Sequence, residues 1–375
     1  MKVEQRHWTA DDGWELTIDA NVGKTANLVL VFGTREVILS QYDAIKDFYP
    51  DAIITFATTA GEIIDTFVYD DTITATAINF EHTKLKSSTL NINDVQDSLT
   101  AGKKLAESLP QEDLVHVFVL SDGLSINGSD LVKGLSEILS KNISITGGLA
   151  GDGAKFEKTL VALNTMPVEG NIALIGFYGD RLKVGYGSMG GWDSFGPERI
   201  ITRSEGNVLY ELDNQSALKL YKEYLGDQAD GLPSTGLLFP LSIWSKEDEE
   251  PLVRTILSVD EENQSMTFAG DVPTGFHARL MRANFDRLIA GASTAAEKID
   301  ASNPDLAILI SCVGRKLVLA QRIEEEIEGV RDIFGEDTVL TGFYSYGEIS
   351  PFTAAPEAMC KLHNQTMTIT TFSEQ

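Results

Sequence analysis

Three side chains capable of acid–base or hydrogen-bonding chemistry stand close together in the segment LTGFYSYGEISPF, residues 340–352. Tyr344, Ser345 and Glu348 follow an apolar run and are interspersed with glycines. A strand that ends in a Gly-rich turn lets backbone N–H groups approach a ligand closely. The segment therefore predicts one wall of a small-molecule pocket, with hydroxyl and carboxyl groups as its polar contacts.

Arg315 is the cationic residue that such a pocket would use. It follows the apolar run of DLAILISCVGRKL, which begins at Asp305. If this run and the one before Tyr344 form neighbouring strands, their ends converge and bring Arg315 close to Ser345 and Glu348. The planar guanidinium suits a carboxylate. Two roles stay open: Arg315 contacts a ligand, or it forms an ion pair with Glu348 that braces two loops.

Three segments repeat one plan: an apolar run, a turn, a helix, a second apolar run, and a small-residue loop that ends in an acid. They begin with NLVLVFGTREVI, DLVHVFVLSDGL and DLAILISCVGRKL. The loops TFATTAGE (55–62) and TGFYSYGE (341–348) superpose without a gap, and the copy around GGLAGDG is one residue shorter. The repetition predicts duplicated units, with the 56–62 and 342–348 loops at equivalent positions.

Helical periodicity supports this plan. In RIEEEIEGVRDIF, apolar residues recur at spacings of three and four from Ile323 to Phe334, and Leu131, Leu135 and Leu139 are spaced similarly. Alternating stretches such as TITATAINF predict antiparallel strands between the copies. We expect a mixed α/β (α+β) fold of two related halves, with largely antiparallel mixed sheets flanked by helices. Turn and polar residues near position 200 predict a boundary between residues 1–200 and 201–375.

The same motifs carry a family resemblance. SCVGRKL, GFYSYGEISPF and the closing HNQTMTITTF resemble the C-terminal half of FIST sensory domains, and TTAGEI and GGLAGDG resemble the N-terminal half. The resemblance extends from about Asn27 to Phe372. It implies an intracellular sensor that binds a small ligand and reports to a signalling partner. The residues expected to bind the ligand are Arg315, Tyr344, Ser345, Glu348, Asn364 and Thr366.

The resemblance extends to stand-alone members that bind haem and sense nitric oxide. Such members act on a separate histidine kinase or cyclic-di-GMP enzyme, which implies haem b as a possible cofactor here. Haem requires an axial ligand, usually His, Cys, Met or Tyr. His363 opens the last apolar stretch, and His277 precedes a predicted helix whose Leu280, Phe285 and Leu288 could face a macrocycle. Cys312 and Cys360 are the fallback ligands, and a packing role is the alternative for each of these residues.

Composition excludes several classes of partner. The formal net charge is -26, with 56 acidic against 30 basic residues, so nucleic acid and anionic membranes are poor partners. No apolar run approaches the roughly 18 residues that a membrane span requires. Two cysteines do not make a disulfide framework, and we expect a cytoplasmic protein without membrane insertion.

Two alternatives to haem-based sensing remain. The first is a sensor for an amino acid or another small carboxylate. The second is a serine hydrolase with Ser345 as nucleophile and His363 as base, although FYSYG lacks the glycine two residues before the serine. The sequence carries no H-E-x-x-H or paired C-x-x-C pattern for metal hydrolysis. We expect a protein that is not an enzyme.

Overall fold

A computed structural model describes residues 1–246, 251–299, 303–351 and 359–375. Phe352, at the end of the quoted motif, lies outside the described residues. The first part of the chain forms β1 (Lys2–Thr9), β2 (Gly13–Ile18), β3 (Leu28–Gly33), α1 (Arg35–Phe48), β4 (Ile53–Thr58), β5 (Glu62–Ile64), β6 (Phe67–Tyr69), β7 (Ile73–Asn79), β8 (Lys84–Asn91), α2 (Ser98–Glu107), β9 (Leu114–Ser121), α3 (Gly128–Ile138), β10 (Ser144–Leu149), β11 (Val161–Leu163), β12 (Asn171–Tyr178) and β13 (Leu182–Met189).

The remainder of the chain continues this pattern after a block of short strands. That block contains β14 (Asp193–Glu205), β15 (Val208–Leu212), β16 (Gln215–Ser216), α4 (Ala217–Leu225), β17 (Leu241–Trp244), β18 (Leu252–Arg254), β19 (Ile256–Asp260), β20 (Ser265–Phe268) and β21 (His277–Arg282). The chain then forms α5 (Phe285–Glu297), β22 (Leu306–Cys312), α6 (Val313–Leu319), α7 (Ile323–Phe334), β23 (Val339–Ser345), β24 (Gly347–Pro351), β25 (Cys360–His363) and β26 (Met367–Glu374).

Three of the sheets share one strand plan, and each is centred on one of the sequence repeats. Unit 1 contains β3, α1 and β4, unit 2 contains β9, α3 and β10, and unit 3 contains β22, α7 and β23. In each unit the two strands pair in parallel across their helix. The first strand also pairs antiparallel with the unit's last strand, which is β7, β12 or β26. The three units thus have the same core topology.

The units are tied together by an exchange of strands. After its second parallel strand, each unit sends a short segment to the edge of another unit's sheet. Strand β5 of unit 1 pairs with β23 of unit 3, β24 of unit 3 pairs with β10 of unit 2, and β11 of unit 2 pairs with β4 of unit 1. The resulting six-stranded sheets have the orders β11-β4-β3-β7-β1-β2, β25-β24-β10-β9-β12-β8 and β13-β26-β22-β23-β5-β6.

The inner faces of the three sheets meet in a common apolar core. Phe32 of unit 1 lies 4.6 Å from Phe343 of unit 3, measured between ring centroids. Phe177 of unit 2 stacks on Phe372 of unit 3 at 5.1 Å. Because the outer faces are covered by helices, strands such as β3 and β22 are buried along their whole length and read as continuous apolar runs.

The helices form where the sequence predicts them. In α7, Ile327 and Phe334 are buried on one face, and three glutamates occupy the first turn, where they suit the positive end of the helix dipole. In α3, the carboxamide oxygen of Asn127 caps the helix by accepting from the N–H groups of Ser129 and Asp130. Helix α3 packs against α2, and α7 packs against α5.

The inserted block from β14 to β21 builds a fourth sheet with its own apolar core, which includes Ile201, Leu241 and Phe268.

The predicted mixed α/β class with internally duplicated units is confirmed, and the 56–62 and 342–348 loops occupy equivalent crossovers. Residue 200 lies inside β14, and β13 pairs with β26 across it. The division into residues 1–200 and 201–375 stays a prediction. No helix among the described residues is long and apolar enough to cross a membrane.

We expect the strand exchange to make folding of the chain cooperative. A fragment of residues 1–200 lacks unit 3, so β5 loses β23, β10 loses β24 and β13 loses β26. The full chain should unfold in urea in one transition by circular dichroism, and the fragment should show no cooperative transition. A fragment that unfolds sigmoidally near the midpoint of the full chain would contradict the coupling.

Candidate functional site

Three loops meet where the carboxyl ends of the parallel strand pairs converge. We call residues 58–61, 150–153 and 345–347 the loop junction. The amide of Ala60 donates to the carbonyl of Tyr344 at 2.8 Å, and the amide of Gly151 donates to the carbonyl of Thr58 at 2.9 Å. The amide of Tyr346 donates to the carbonyl of Leu149 at 3.2 Å. Carboxyl ends of strands at a point of crossover are the usual ligand position in α/β sheets.

Glu348 lies buried immediately after the third loop. Its Oε1 accepts from the hydroxyl of Ser345 at 2.8 Å, and its Oε2 accepts from the hydroxyl of Thr366 at 2.9 Å and the amide of Thr366 at 3.2 Å. Burial raises the pKa of Glu348 to about 8, against the opposing effect of these donors. Ser345, Glu348 and Thr366 are therefore brought together as predicted, in a buried cluster around the carboxyl group.

Glu62 repeats this arrangement in unit 1. Its carboxyl group is buried and accepts from the hydroxyls of Thr59, three residues earlier, and Thr72, the latter at 2.8 Å. Burial raises the pKa of Glu62 to about 7. The residue three positions before each acid, Thr59 or Ser345, makes the same bond in both copies. The duplication thus extends to individual hydrogen bonds.

Asp152, the acid of the second copy, has a different environment. It is half-buried and accepts from the backbone amides of Phe156, Glu157 and Lys158 at 2.7 to 2.9 Å. It also accepts from the hydroxyl of Tyr346. Asp152 therefore holds its own loop and joins it to the loop of unit 3.

Arg315 is fully buried, and its partner is Glu326 on α7. Its Nε and Nη2 donate to Oε2 of Glu326 at 3.1 and 2.6 Å, and its Nη1 and Nη2 donate to the carbonyls of Gly190 and Leu288 at 3.0 and 2.8 Å. The predicted ion pair between Arg315 and Glu348 is therefore wrong, because Arg315 pairs with Glu326. Among the described residues, Arg315 lines none of the cavities.

Tyr344 belongs to the Arg315 cluster. Its hydroxyl donates to Oε1 of Glu326 at 2.7 Å, and Ser311 donates to the same oxygen at 3.1 Å. Burial raises the pKa of Tyr344 well above its ordinary value, so the phenol stays a donor. Glu326 was missed by the sequence reasoning, although it stands on the apolar face of α7 three residues after Ile323 and four before Val330. A charge in that position indicates a buried partner.

Asn364 is buried in the turn before β26. Its Nδ2 lies 3.5 Å from the carbonyl of Tyr346, and its Oδ1 is buried without a partner in the described part of the chain. The six predicted ligand-binding residues thus fall into two adjacent buried groups and Asn364 beside them. None of them lines any of the five cavities of about 70 to 550 Å³ in the described part of the chain.

Cavities occur at two of the three equivalent positions of the loop junction. The unit 1 cavity, of about 80 Å³, is lined by the start of α1, residues 59–61, residues 70–71 and the loop at Asp152. The unit 2 cavity, of about 70 Å³, is lined by residues 123–128, Tyr346 and part of the fourth sheet. At the third position the Lys316 ammonium donates to the carbonyl of Ala60 at 2.9 Å, and Gln365 packs against Gly314.

The two histidines predicted as haem ligands both contact other groups of the protein. His363 is buried, with Nε2 2.9 Å from the carbonyl of Ser350, and burial lowers its pKa to about 4. His277 is on β21, where it stacks on Trp244 and bonds Glu198 at 2.6 Å. Neither histidine is among the described residues that line the cavities.

The apolar residues expected to face a macrocycle are also separated. Leu280 lies in the core of the fourth sheet, Leu288 lies in a different apolar cluster, and Phe285 is exposed. Cys360 lines the two cavities of about 550 and 430 Å³, but burial raises the pKa of its thiol and disfavours the thiolate that ligates iron. Cys312 is likewise a buried free thiol. The residues at these positions do not fit haem.

The hydrolase geometry is also incomplete. Ser345 is buried, its hydroxyl donates to Glu348, and strand β24 follows it instead of the helix of a nucleophile elbow. The ring of His363 contacts a backbone carbonyl through Nε2. Ser345 and His363 are thus each engaged in structural hydrogen bonds.

The fold defines a class of mixed α/β protein in which three exchanged units carry a fourth, inserted sheet. Residues 27–215 match the FIST N domain, and residues 217–351 match the FIST C domain. The chain belongs to the FIST family. It is also 22% identical to an uncharacterized protein of Methanocaldococcus jannaschii, over 90% of this chain and 72% of that protein. FIST domains are associated with sensing small ligands in signal transduction.

Removal of Arg315 should cost stability. Arg315→Ala leaves the Glu326 carboxylate buried without its cation, which costs about 3–5 kcal/mol of the free energy of unfolding. Arg322→Ala is the matched control on the neighbouring turn, since its ion pairs with Asp286 and Glu325 are solvent-exposed and should contribute far less to stability. Urea unfolding measures both. Equal small losses for the two variants would contradict the structural role of Arg315.

The two buried carboxyls should make stability depend on pH. Because folding raises the pKa of Glu62 to about 7 and of Glu348 to about 8, the native state binds more protons than the unfolded state above the ordinary carboxyl pKa. These two carboxyls should therefore lower the free energy of unfolding as the pH rises from about 4.5 through about 8. The buried His116 and His363, whose pKa burial lowers to about 3 and about 4, act in the opposite direction below about pH 6.5, so the net fall is expected between about pH 6.5 and 8. Urea unfolding at a series of pH values measures the slope.

A double variant, Glu62→Gln with Glu348→Gln, should reduce this fall, because neither position then loses a proton. Glu205→Gln, at an exposed position on β14, is the control and should leave the slope unchanged. If the double variant retains the full pH dependence of the native chain, the two carboxyls are not its source.

Proposed function

We propose that this protein is a sensor for a small zwitterion of the amino-acid class, bound in the unit 1 cavity. The observation that carries the proposal is the composition of that cavity, where loops of two units and the start of a helix bring charges of both signs together. An amino acid presents an ammonium and a carboxylate a few ångströms apart. The cavity of about 80 Å³ suits a ligand of a few non-hydrogen atoms.

The charges divide into two sets. The cations at the cavity are Arg35 and Lys155, and the anions include Asp71 and Asp152. Asp152 already accepts three backbone amides, so Asp71, which is exposed, is the better partner for a ligand ammonium. Lys155, also exposed, is the better partner for a ligand carboxylate.

The N-terminus of α1 offers a favourable position for the carboxylate of the ligand. Thr34 occupies the N-cap, but its side chain makes no capping hydrogen bond. The first N–H groups of this 14-residue helix and its positive dipole end therefore favour an anion beside Thr34 and Arg35, both of which line the cavity.

Contacts between units supply a route for the signal. Lys316 on α6 of unit 3 pairs with Asp70 and donates to the carbonyl of Ala60, and both of these residues line the unit 1 cavity. A ligand that binds more tightly to one arrangement of these contacts raises the population of that arrangement. Because Lys316 belongs to α6, the conformation that accompanies this arrangement in unit 3 becomes more populated as well. We propose that this shift is reported by protein contact to a separate histidine kinase or cyclic-di-GMP enzyme in the cytoplasm, and that the chain itself is not an enzyme.

Thermal melts of the protein with each of the common amino acids test the proposal. An amino acid that binds should raise the melting temperature in proportion to its concentration over its Kd. Lys155→Met and Asp71→Asn should each weaken binding about tenfold or more, because each removes a charge-assisted contact. Lys219→Met and Asp11→Asn, which change exposed residues away from the cavity, should leave the affinity unaltered.

Haem and ester substrates provide the decisive alternatives. Stoichiometric haem uptake, with a Soret band that shifts when nitric oxide is added, would show that the ligand is haem and not an amino acid. Turnover of generic esters that disappears in Ser345→Ala would identify a hydrolase instead. If the Lys155 and Asp71 variants bind amino acids as tightly as the native chain does, the unit 1 cavity is not the site.

A further inference from the structure

A larger cleft than the unit 1 cavity lies beside helix α3. It has a volume of about 430 Å³ and is bounded by α3 of unit 2, by β17 and β18 of the fourth sheet, and by β25 of unit 3. This volume is within the range of sites that hold organic ligands of ten or more atoms. None of the six residues predicted to bind a ligand borders this cleft.

Arg254 is the residue that distinguishes this cleft. Its side chain lines the cleft and yet is buried, with the residue 3% exposed. Its Nε donates to the carbonyl of Asp271 at 2.9 Å, and its Nη1 donates to the carbonyls of Leu362 and Val253 at 3.1 and 3.3 Å. Backbone carbonyls therefore hold the guanidinium in place and leave its positive charge unneutralised.

No carboxylate of the described residues lies within 4.0 Å of the Arg254 guanidinium. The charge of Asp271 acts on Arg254, and the Asp271 carboxylate already accepts from Nδ2 of Asn127 at 2.9 Å. Burial lowers the pKa of Arg254 to about 10, so the group stays charged at neutral pH. A buried cation without an ion-pair partner is unfavourable, and an anionic ligand would relieve this cost.

Much of the wall around Arg254 is apolar. Leu252 and Arg254 project from the same face of β18, because they are two residues apart on one strand. Ile243 pairs with Leu252 in the sheet, and Val132 of α3 and Phe276 face the same space. The cleft thus combines an apolar surface with the buried Arg254 cation, and the charged residues Lys133, Glu137, Asp271 and Lys361 complete its lining.

We infer that this cleft is a second ligand site, which binds a monocarboxylate with an apolar body. The carboxylate pairs with the Arg254 guanidinium, and the apolar body packs on Leu252, Ile243 and Phe276. Because the walls come from unit 2, unit 3 and the fourth sheet, such a ligand holds the fourth sheet against the three exchanged units. The site is independent of the unit 1 cavity and of the zwitterion proposed to bind there.

Fluorescence of 1-anilinonaphthalene-8-sulfonate bound to the full chain tests this site, with decanoate and 1-decanol as competitors. The two competitors share one apolar chain and differ in charge. Decanoate should displace the dye at concentrations about tenfold or more below those that 1-decanol requires, since only decanoate pairs with Arg254. Equal potency of decanoate and 1-decanol would overturn the inference.

Two variants locate the binding. Arg254→Met should abolish the preference for decanoate over 1-decanol, and Leu252→Trp should weaken both competitors by filling the cleft while Arg254 stays in place. Arg203→Met, at an exposed arginine of β14 paired with Glu211, is the matched control and should bind as the native chain does. If Arg254→Met does not fold, Leu252→Trp decides: unchanged decanoate binding in that variant overturns the inference.

Thermal stability separates a ligand contact from a structural cross-link. If Arg254 only joins β18 to the carbonyls of Asp271 and Leu362, then Arg254→Met lowers the melting temperature and leaves decanoate affinity unchanged, which overturns the inference.

A salt titration distinguishes decanoate binding in the cleft from adsorption to the protein surface. The net charge of -26 repels anions at long range, and decanoate held only by exposed lysines should be released by added salt. Decanoate in the cleft should be retained.

Discussion

The exchange of short strands among three sheets is the constraint on which the rest of the structure depends. Strands β5, β11 and β24 each leave the unit that encodes them and complete the sheet of another unit. A sheet edge left open presents unpaired backbone groups, and each unit closes the edge of a neighbour. Because this closure is cyclic, a unit taken alone lacks part of its sheet. The three crossing loops must also pass one another at the carboxyl ends of the parallel strands, which creates the loop junction.

Buried carboxyl groups stabilise these crossovers in two different ways. Glu62 is the first residue of β5 and Glu348 the second of β24. Both accept hydroxyl hydrogen bonds, and neither has an ion-pair partner among the described residues. Glu326 instead takes a bidentate contact from Arg315 and a third donor from Tyr344. A neutral acid with two hydroxyl donors and a fully paired carboxylate are both tolerated in an apolar interior. In the first arrangement we expect folding to change the protonation of the carboxyl groups between about pH 4.5 and 8. In the second, the ion pair holds α7 against its sheet.

The three equivalent positions at the loop junction have diverged. Unit 1 retains a charged cavity and unit 2 a largely apolar one, and in unit 3 the side chains of Lys316 and Gln365 occupy the corresponding space. The three units retain the same crossovers because the backbone pairing between their strands requires them. The side chains around each crossover are not needed for this pairing and can differ between the units. The inserted fourth sheet adds a cleft that none of the repeats contains by itself, and Arg254 provides that cleft with a buried cation.

The sequence alone determined the local features: the buried strands, the apolar face of α7, the three copies and the acids at 62 and 348 that keep the same spacing. These features depend on residues close in the chain, where periodicity and turn chemistry act directly. Only the tertiary structure decided that Arg315 pairs with Glu326, that Lys316 reaches Ala60 across 256 positions, and that Arg254 faces an apolar cleft. The Arg315–Glu326 pair depends on how α6 and α7 pack inside unit 3. The other two depend on hydrogen-bond pairing and core packing between distant parts of the chain.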